Sequence, residues 1–257
     1  VLPSEAYIGE LAEEIDIDGI HEVREFMRQE LAVSLEDKLL KVYQLLNNDK
    51  PYLVEADDIA ERSLKNTVLN YLILLNGEKV EICHDQYKQA DNMTDKSAAL
   101  RALLSADSEQ AVDLQKQSLT EFYDSWKDEP LVIEQWLSMQ ASVAKKDNLA
   151  EIIKLTKHES FDIKNPNKVR SVIGAFCHQN KVGFHHESGS GYEFLADNVI
   201  TLNKLNPQIA SRLLTPLTHW KKQQSHRQAL MKEQLQRILD LDNLSKDVYE
   251  VASKSLG

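Results

Sequence analysis

The chain is poor in the residues that interrupt helices, with eight glycines and six prolines in 257 residues. Glycine supplies left-handed turns and proline stops a helix or a sheet ladder, so their scarcity excludes a fold of many tight turns and favours long helices with short connections. Cysteine is scarcer still. Cys83 and Cys177 stand far apart and form no CxxC, which excludes a disulfide framework and a cysteine-rich zinc site. A reducing compartment is the easier fit, and a cytoplasmic location is expected. No run of about eighteen apolar residues occurs and no signal-peptide pattern opens the chain, so the sequence predicts a soluble protein with no membrane partner. Positive charge is also short: 30 lysines and arginines stand against 41 acids, for a net charge of −11. Phosphate binding draws on a basic surplus, so nucleic acid is not expected as a partner.

What is present is globular in composition, 42% hydrophobic and 28% charged. The length allows one large domain or two small ones. The charge is unevenly placed, with sixteen acids against six lysines and arginines over residues 1–62, and seven lysines and arginines against the single acid Glu233 over 204–237. Such asymmetry suits docking against something charged, although solvated helix faces also produce it.

Apolar residues recur three or four apart over most of the length. Ile20, Val23, Met27, Leu31, Leu35, Leu39, Val42 and Leu46 predict a helix from Asp18 or Gly19 to about Asn47. Ile59, Leu64, Val68, Leu72 and Leu75 predict a second from about Asp57 or Asp58 to Asn76, with Gly77 as a left-handed cap. Thr94 can cap a helix through Leu104, Asp107 with Gln110 reads as a capping box for the next through about Trp126, and Asp128 before Pro130 starts another. A short helix follows from Asp147 to about Lys157, a long one is expected from about Thr218 to Leu239, and a last one from Ser245. No alternating run demands a strand. The expected fold is all-α, stacked antiparallel helix hairpins in the manner of armadillo or HEAT solenoids, although no repeat of fixed period is legible. Trp126, Trp136 and Trp220, with Phe122 and Tyr123, read as anchors of the helix pairs.

The most informative stretch is Asn165 to Leu214. Asn165-Pro166 and Asn206-Pro207 each place an N-cap before a proline at the first helical position, so both helices are fixed in where they begin. In the first, Val169, Val172, Ile173 and Phe176 form an apolar stripe that leaves Arg170 to one side, with Gly174 one turn on giving room for another backbone or a ligand. In the second, Ile209, Leu213 and Leu214 face a core while Gln208 and Arg212 stack on one polar face. A guanidinium beside an amide suits a peptide carbonyl or a carboxylate, although pattern alone favours ordinary helix-surface residues by about two to one. Between these helices, Ser190 and Glu193 read as a capping box, which accounts for the nearby glycines without a phosphate.

No catalytic constellation is complete. His21-Glu22, His158-Glu159 and His186-Glu187 are followed by Glu25, Asp162 and Ser190 where an HExxH motif needs its second histidine. His21 and Glu25 lie one turn apart, but a zinc site needs three or four ligands and an ordinary helix pair is the simpler reading. No GxSxG, Walker loop or dinucleotide fingerprint occurs.

The segments NPNKVRSVIGAF, GSGYEFL and LNKLNPQIASRLL closely resemble the C-terminal helical domain of the bacterial aminopeptidase N family, zinc-dependent alanyl aminopeptidases of the gluzincin type. The resemblance extends to LPSEAYIGEL at the start, DNMTDKSAAL, FYDSW with Trp136 beyond it, and LSKDVYE near the end, and is thinner over residues 65–90 and 103–120. It implies one helical C-terminal domain over 1–257, part of a longer enzyme, which Val1 in place of an initiator methionine fits. In the family the zinc, its HExxH ligands and the general base lie in a catalytic domain that these residues lack. The resemblance therefore implies no catalytic residue, metal ligand or cofactor in this chain, with zinc in the catalytic domain of the same polypeptide. The helical domain would close over that site as a bowl and admit short peptides. The family's chamber-facing residues correspond to Arg170, Gln208 and Arg212, which are the expected substrate-binding residues. Cys177, His178, His185 and His186 have no role to carry over. An independent helical-repeat scaffold that binds proteins through its charged ends is the other reading of the same pattern.

Overall fold

The computed structural model describes residues 2–48, 50 and 52–257. Among these residues the regular structure is helical, apart from one isolated parallel bridge between Ile15 and Gln223. The helices pack as two compact units, Glu22–Asp128 and Pro3–His21 with Glu129–Gly257.

The chain opens with α1 (Glu5–Leu11), whose start is closed by Ser4 Oγ accepting from Tyr7 N at 3.2 Å. The next helix, α2 (Ile17–Leu46), has the length expected of it, but its apolar stripe is covered only in part: Ile20, Leu31, Leu39, Val42 and Leu46 are half-buried. Ala32 and Tyr43 are buried, whereas Val23 is 64% exposed, Phe26 62%, and Met27 and Leu35 are also exposed. Periodicity identifies residues that share a face; it does not say whether that face has a neighbour.

In the unit Glu22–Asp128, α3 (Ala56–Leu72) runs into a short 3-10 turn, Ile73–Leu75, and ends where Asn76 and Gly77 both take positive φ. Gly77 opens the following α4 (Glu78–Gln89) with φ 54° and ψ −132°, and does not form a left-handed cap. The sequence reading offers no helix there, although Val80, Cys83 and Tyr87 are buried on one face of α4. The centre of the unit is α5 (Met93–Ser105), packed against α3, α4 and α6 (Glu109–Trp126). Its N-cap is Asn92 where Thr94 was expected, and α6 is capped by Ser108, not Asp107. A buried polar chain crosses this core. Lys65 Nζ lies 2.7 Å from Asp95 Oδ2, Asn66 Nδ2 donates to Asp95 Oδ1 at 2.8 Å, Gln86 Nε2 donates to Asn66 Oδ1 at 2.8 Å, and Tyr43 OH donates to Gln86 Oε1 at 3.1 Å. Burial pushes the Asp95 carboxyl up, but the bonds from Lys65, Asn66 and Asn92 more than offset it and hold the group below its ordinary value.

In the other unit, α7 (Pro130–Ala141) and α8 (Leu149–Leu155) precede α9 (Pro166–Val169), a π-helical turn at Arg170–Gly174 and α10 (Ala175–Gln179). Then follow α11 (Lys181–Phe184), α12 (Ser190–Leu205), α13 (Pro207–Leu213), α14 (Thr215–Thr218), α15 (Ser225–Leu239) and α16 (Lys246–Leu256). The core is aromatic: Phe176 meets Phe184 edge-on at 6.2 Å between ring centres, and Phe184 meets Tyr192 at 5.3 Å. Trp136 and Phe122 are buried as expected, while Trp126, Trp220 and Tyr123 are only half-buried. The long helix expected from Thr218 is interrupted. After α14 the chain makes a 3-10 turn at Trp220–Lys222 and extends at Gln223, where Lys222 O accepts from Ile15 N at 2.7 Å, before α15 begins. A partner strand of one residue, distant in sequence, explains the break; nothing local signals it.

Candidate functional site

The two Asn-Pro starts are built as the sequence requires. Asn165 Oδ1 accepts from Asn167 N at 2.9 Å, and Asn206 Oδ1 accepts from Ile209 N at 3.2 Å, each cap contributing about 1 kcal/mol. Val169, Val172, Ile173 and Phe176 are fully buried, so the first helix cannot rotate without exposing them. Ile209, Leu213 and Leu214 do the same for the second.

Arg170, Gln208 and Arg212 are all exposed on this scaffold. Arg170 Nη1 donates to Asn167 Oδ1 at 2.8 Å, which orients the guanidinium without neutralising it. Among the described residues, no carboxylate forms an ion pair with Arg170 or Arg212. Gln208 and Arg212 stand one turn apart on α13, as their spacing predicts, and no bond joins either to Arg170.

Arg170 begins the π-helical turn, where an α-helix was expected to continue. The wide turn carries one extra residue, so Val172 and Ile173 and also the run Ala175, Phe176 and Cys177 are all buried. Such turns recur at functional sites because they re-aim side chains within an otherwise regular helix. A Cβ on Gly174 would meet only Arg170 Cβ at 3.7 Å and Val169 O at 3.9 Å, both ordinary contacts. Among the described residues, no other element approaches Gly174 closely enough to need its missing side chain.

The capping box expected at Ser190 is not made. Gly189, with φ 76°, is the N-cap, and Ser190 is already helical. Gly191 is required by packing: a Cβ there would lie 2.2 Å from Phe184 O. That close approach carries α11 onto α12 and buries His185, whose Nδ1 lies 2.9 Å from Tyr192 OH.

The carbonyl of His185 accepts from Arg227 Nε at 2.8 Å. Arg227 is 1% exposed, and it also donates from Nη1 to Gln224 Oε1 at 2.7 Å and from Nη2 to Asp18 Oδ2 at 2.5 Å. Lys146 Nζ lies 3.4 Å from the other oxygen of Asp18. Burial pushes the Asp18 carboxyl up, and the Arg227 bond and charge, with Lys146, bring it net below its ordinary value. His185 also lines a pocket of about 480 Å³, together with His178, Lys181, His219 and Gln223, the carboxylates Glu5 and Glu10, and the apolar side chains Ile15, Ile17 and Ile20. The sequence reading assigned no role to His178 or His185 and did not single out the other polar members. The histidines, Lys181 and Gln223 come from two segments distant in sequence, 178–185 and 219–223, and meet the apolar residues of a third, 15–20, so no spacing signals their assembly.

Metal ligation has little to draw on in the thiols: Cys83 and Cys177 are fully buried, and burial pushes both well above the usual thiol range. His21 Nδ1 lies 2.8 Å from Glu5 Oε1. The HExxH set of a zinc peptidase is not in this sequence.

The chain is similar to aminopeptidase N of Haemophilus influenzae, with 41% identity over 258 residues, and to aminopeptidase N of Escherichia coli, with 39% identity over 256 residues; each comparison covers 99% of this chain and 29% of the relative. It thus spans less than a third of the length of these curated relatives. The crystal structure of Legionella pneumophila aminopeptidase A in complex with aspartic acid superposes with a TM-score of 0.88 and 30% identity, over all of this chain and 30% of that one. A family model described as domain of unknown function (DUF3458_C) ARM repeats matches residues 1–257, and the all-α chain therefore belongs to this ARM-repeat family.

Proposed function

We propose that residues 1–257 form the C-terminal domain of a cytoplasmic zinc aminopeptidase that removes N-terminal residues from short peptides. The domain caps the catalytic domain of the same polypeptide, encloses the substrate chamber and holds the peptide beyond the scissile bond through Arg170, Gln208 and Arg212. The chemistry belongs to zinc bound elsewhere in the polypeptide; this domain contributes orientation and exclusion of water and folded chains.

The observation that carries the reading is the Arg170 guanidinium, exposed, uncompensated by any described carboxylate and set on a π-turn whose other face is fully buried. A guanidinium oriented by Asn167 and without a carboxylate partner among the described residues suits a peptide carbonyl or terminal carboxylate through charge-assisted bonds. The exposed Val23, Phe26 and Met27 of α2 suit a face covered by the remainder of a longer chain. In the complete enzyme, Arg212→Ala is expected to raise KM for tri- and tetrapeptides about tenfold or more, the loss of one charged hydrogen bond, and to leave a small aminoacyl amide nearly unchanged. Equal effects on both substrates would remove Arg212 from the peptide path.

A further inference from the structure

The pocket that His185 lines has the chemistry of a binding site with a role separate from the peptide-holding residues. One wall is apolar, made by Ile15, Ile17, Ile20 and Pro216. The polar lining carries both signs: Lys181, Lys221 and Lys222 with His178, and the carboxylates Glu5 and Glu10. Among the described residues, no carboxylate forms an ion pair with Lys181. Burial pushes the Lys181 ammonium below its ordinary value, and Cys177 and Glu5 offset this only in part. Burial first, then Lys181 and His219, push the His178 ring below its ordinary value, so it offers the pocket a neutral imidazole. An anion beside Lys181 would offset the cost of burying its ammonium.

Gln223 supplies an independent sign. It is 3% exposed and lines the pocket, and its Oε1 is a buried acceptor with no hydrogen-bond donor among the described residues. Buried acceptors are satisfied in the great majority of native sites, and leaving one unsatisfied is costly. Extended backbone at Gln223, pinned by the bridge to Ile15, keeps the amide in place.

We propose that this pocket binds a free apolar α-amino acid. The carboxylate meets Lys181 and the neighbouring histidines, the ammonium donates to Gln223 Oε1, and the side chain lies against Ile15, Ile17 and Ile20. A volume of about 480 Å³ holds leucine or phenylalanine with room for a few waters. The site itself rests on the pocket alone. Its biological meaning, a domain that senses the product released by its own enzyme, rests on the aminopeptidase reading.

The test is calorimetric titration of the 257-residue chain with L-leucine and L-phenylalanine, beside three compounds that each lack one feature: isoamylamine without the carboxylate, 4-methylpentanoate without the ammonium, and glycine without the apolar side chain. Saturable binding of leucine or phenylalanine with one site per chain is expected, and about tenfold or greater weakening for each of the three. Lys181→Met and Gln223→Met, with helical content checked by circular dichroism, are each expected to weaken leucine about tenfold or more. No saturation by leucine or phenylalanine up to 10 mM would overturn the proposal, as would binding that neither substitution changes or equal binding of leucine and 4-methylpentanoate. No peptidase activity enters the readout, so a negative result leaves the domain's proposed place in an aminopeptidase untouched.

Discussion

At the scale of single residues, the most consequential group is Arg227, which the sequence presents as one more basic residue of a basic helix. In the fold it is a buried cation that joins Asp18, Gln224 and the carbonyl of His185. A buried charge that loses its partner is left uncompensated, and Asp18→Ala is expected to destabilise the chain by about 2–3 kcal/mol, less than a fully dry pair because Asp18 is partly exposed. Urea unfolding monitored by circular dichroism measures the change. His185 carries a second consequence. Burial first, then the charges of Lys181, Arg227 and His219, push its ring down to about 3, with Asp18 opposing. The unfolded chain binds a proton near pH 6.5 that the fold refuses, so the contribution to stability is complete above that value and is lost as pH falls toward 3. The melting temperature is expected to be level between pH 7 and 8 and to fall below pH 6.5, with a shallower fall in His185→Gln; an unchanged slope in that variant would place the proton uptake elsewhere. Of the candidate residues, Arg170, Gln208 and Arg212 were legible in the sequence because each stands off an apolar stripe on a helix with a marked start. Lys181, His219 and Gln223 were not, because their meaning lies in neighbours from other segments.

At the scale of elements, local signals decided where helices begin when the cap is unambiguous and failed where it is not. Asn165-Pro166, Asn206-Pro207 and Ser245 all start helices as read, while the expected cap at Ser190 yields to Gly189 because close packing on Phe184 sets the path of the chain. Gly191→Ala is accordingly expected to cost at least about 2–3 kcal/mol, since its Cβ would press on backbone that cannot turn away, and Asn165→Ala about 1 kcal/mol. Differential scanning calorimetry of both variants separates the two magnitudes. The π-turn at Arg170 and the break between α14 and α15 escaped the sequence for the same reason: each is imposed by tertiary contacts on residues that would otherwise continue a helix.

At the scale of the whole molecule, the composition of the surface matters more than any site. Val23, Phe26 and Met27 of α2 are exposed apolar side chains among the described residues. The isolated chain is expected to bind a hydrophobic dye or to self-associate, and Val23→Lys with Phe26→Lys to reduce both without lowering the melting temperature. Loss of stability in that double variant, or undiminished dye binding, would show that these side chains are not the exposed surface responsible.

Sequence alone determined the all-α class, most helix positions, the fixed starts of the central helices and the three polar residues that stand off their buried faces. These depend on periodicity and capping, which act within about four residues and are therefore written locally. Only the tertiary structure decided which apolar stripes find a neighbour, where helices widen or break, and how His178, Lys181, His219 and Gln223 come to share one pocket with Ile15 and Ile17. Those outcomes depend on contacts between segments up to some 200 residues apart, such as Ile15 with Gln223 and Asp18 with Arg227, and no local pattern encodes them.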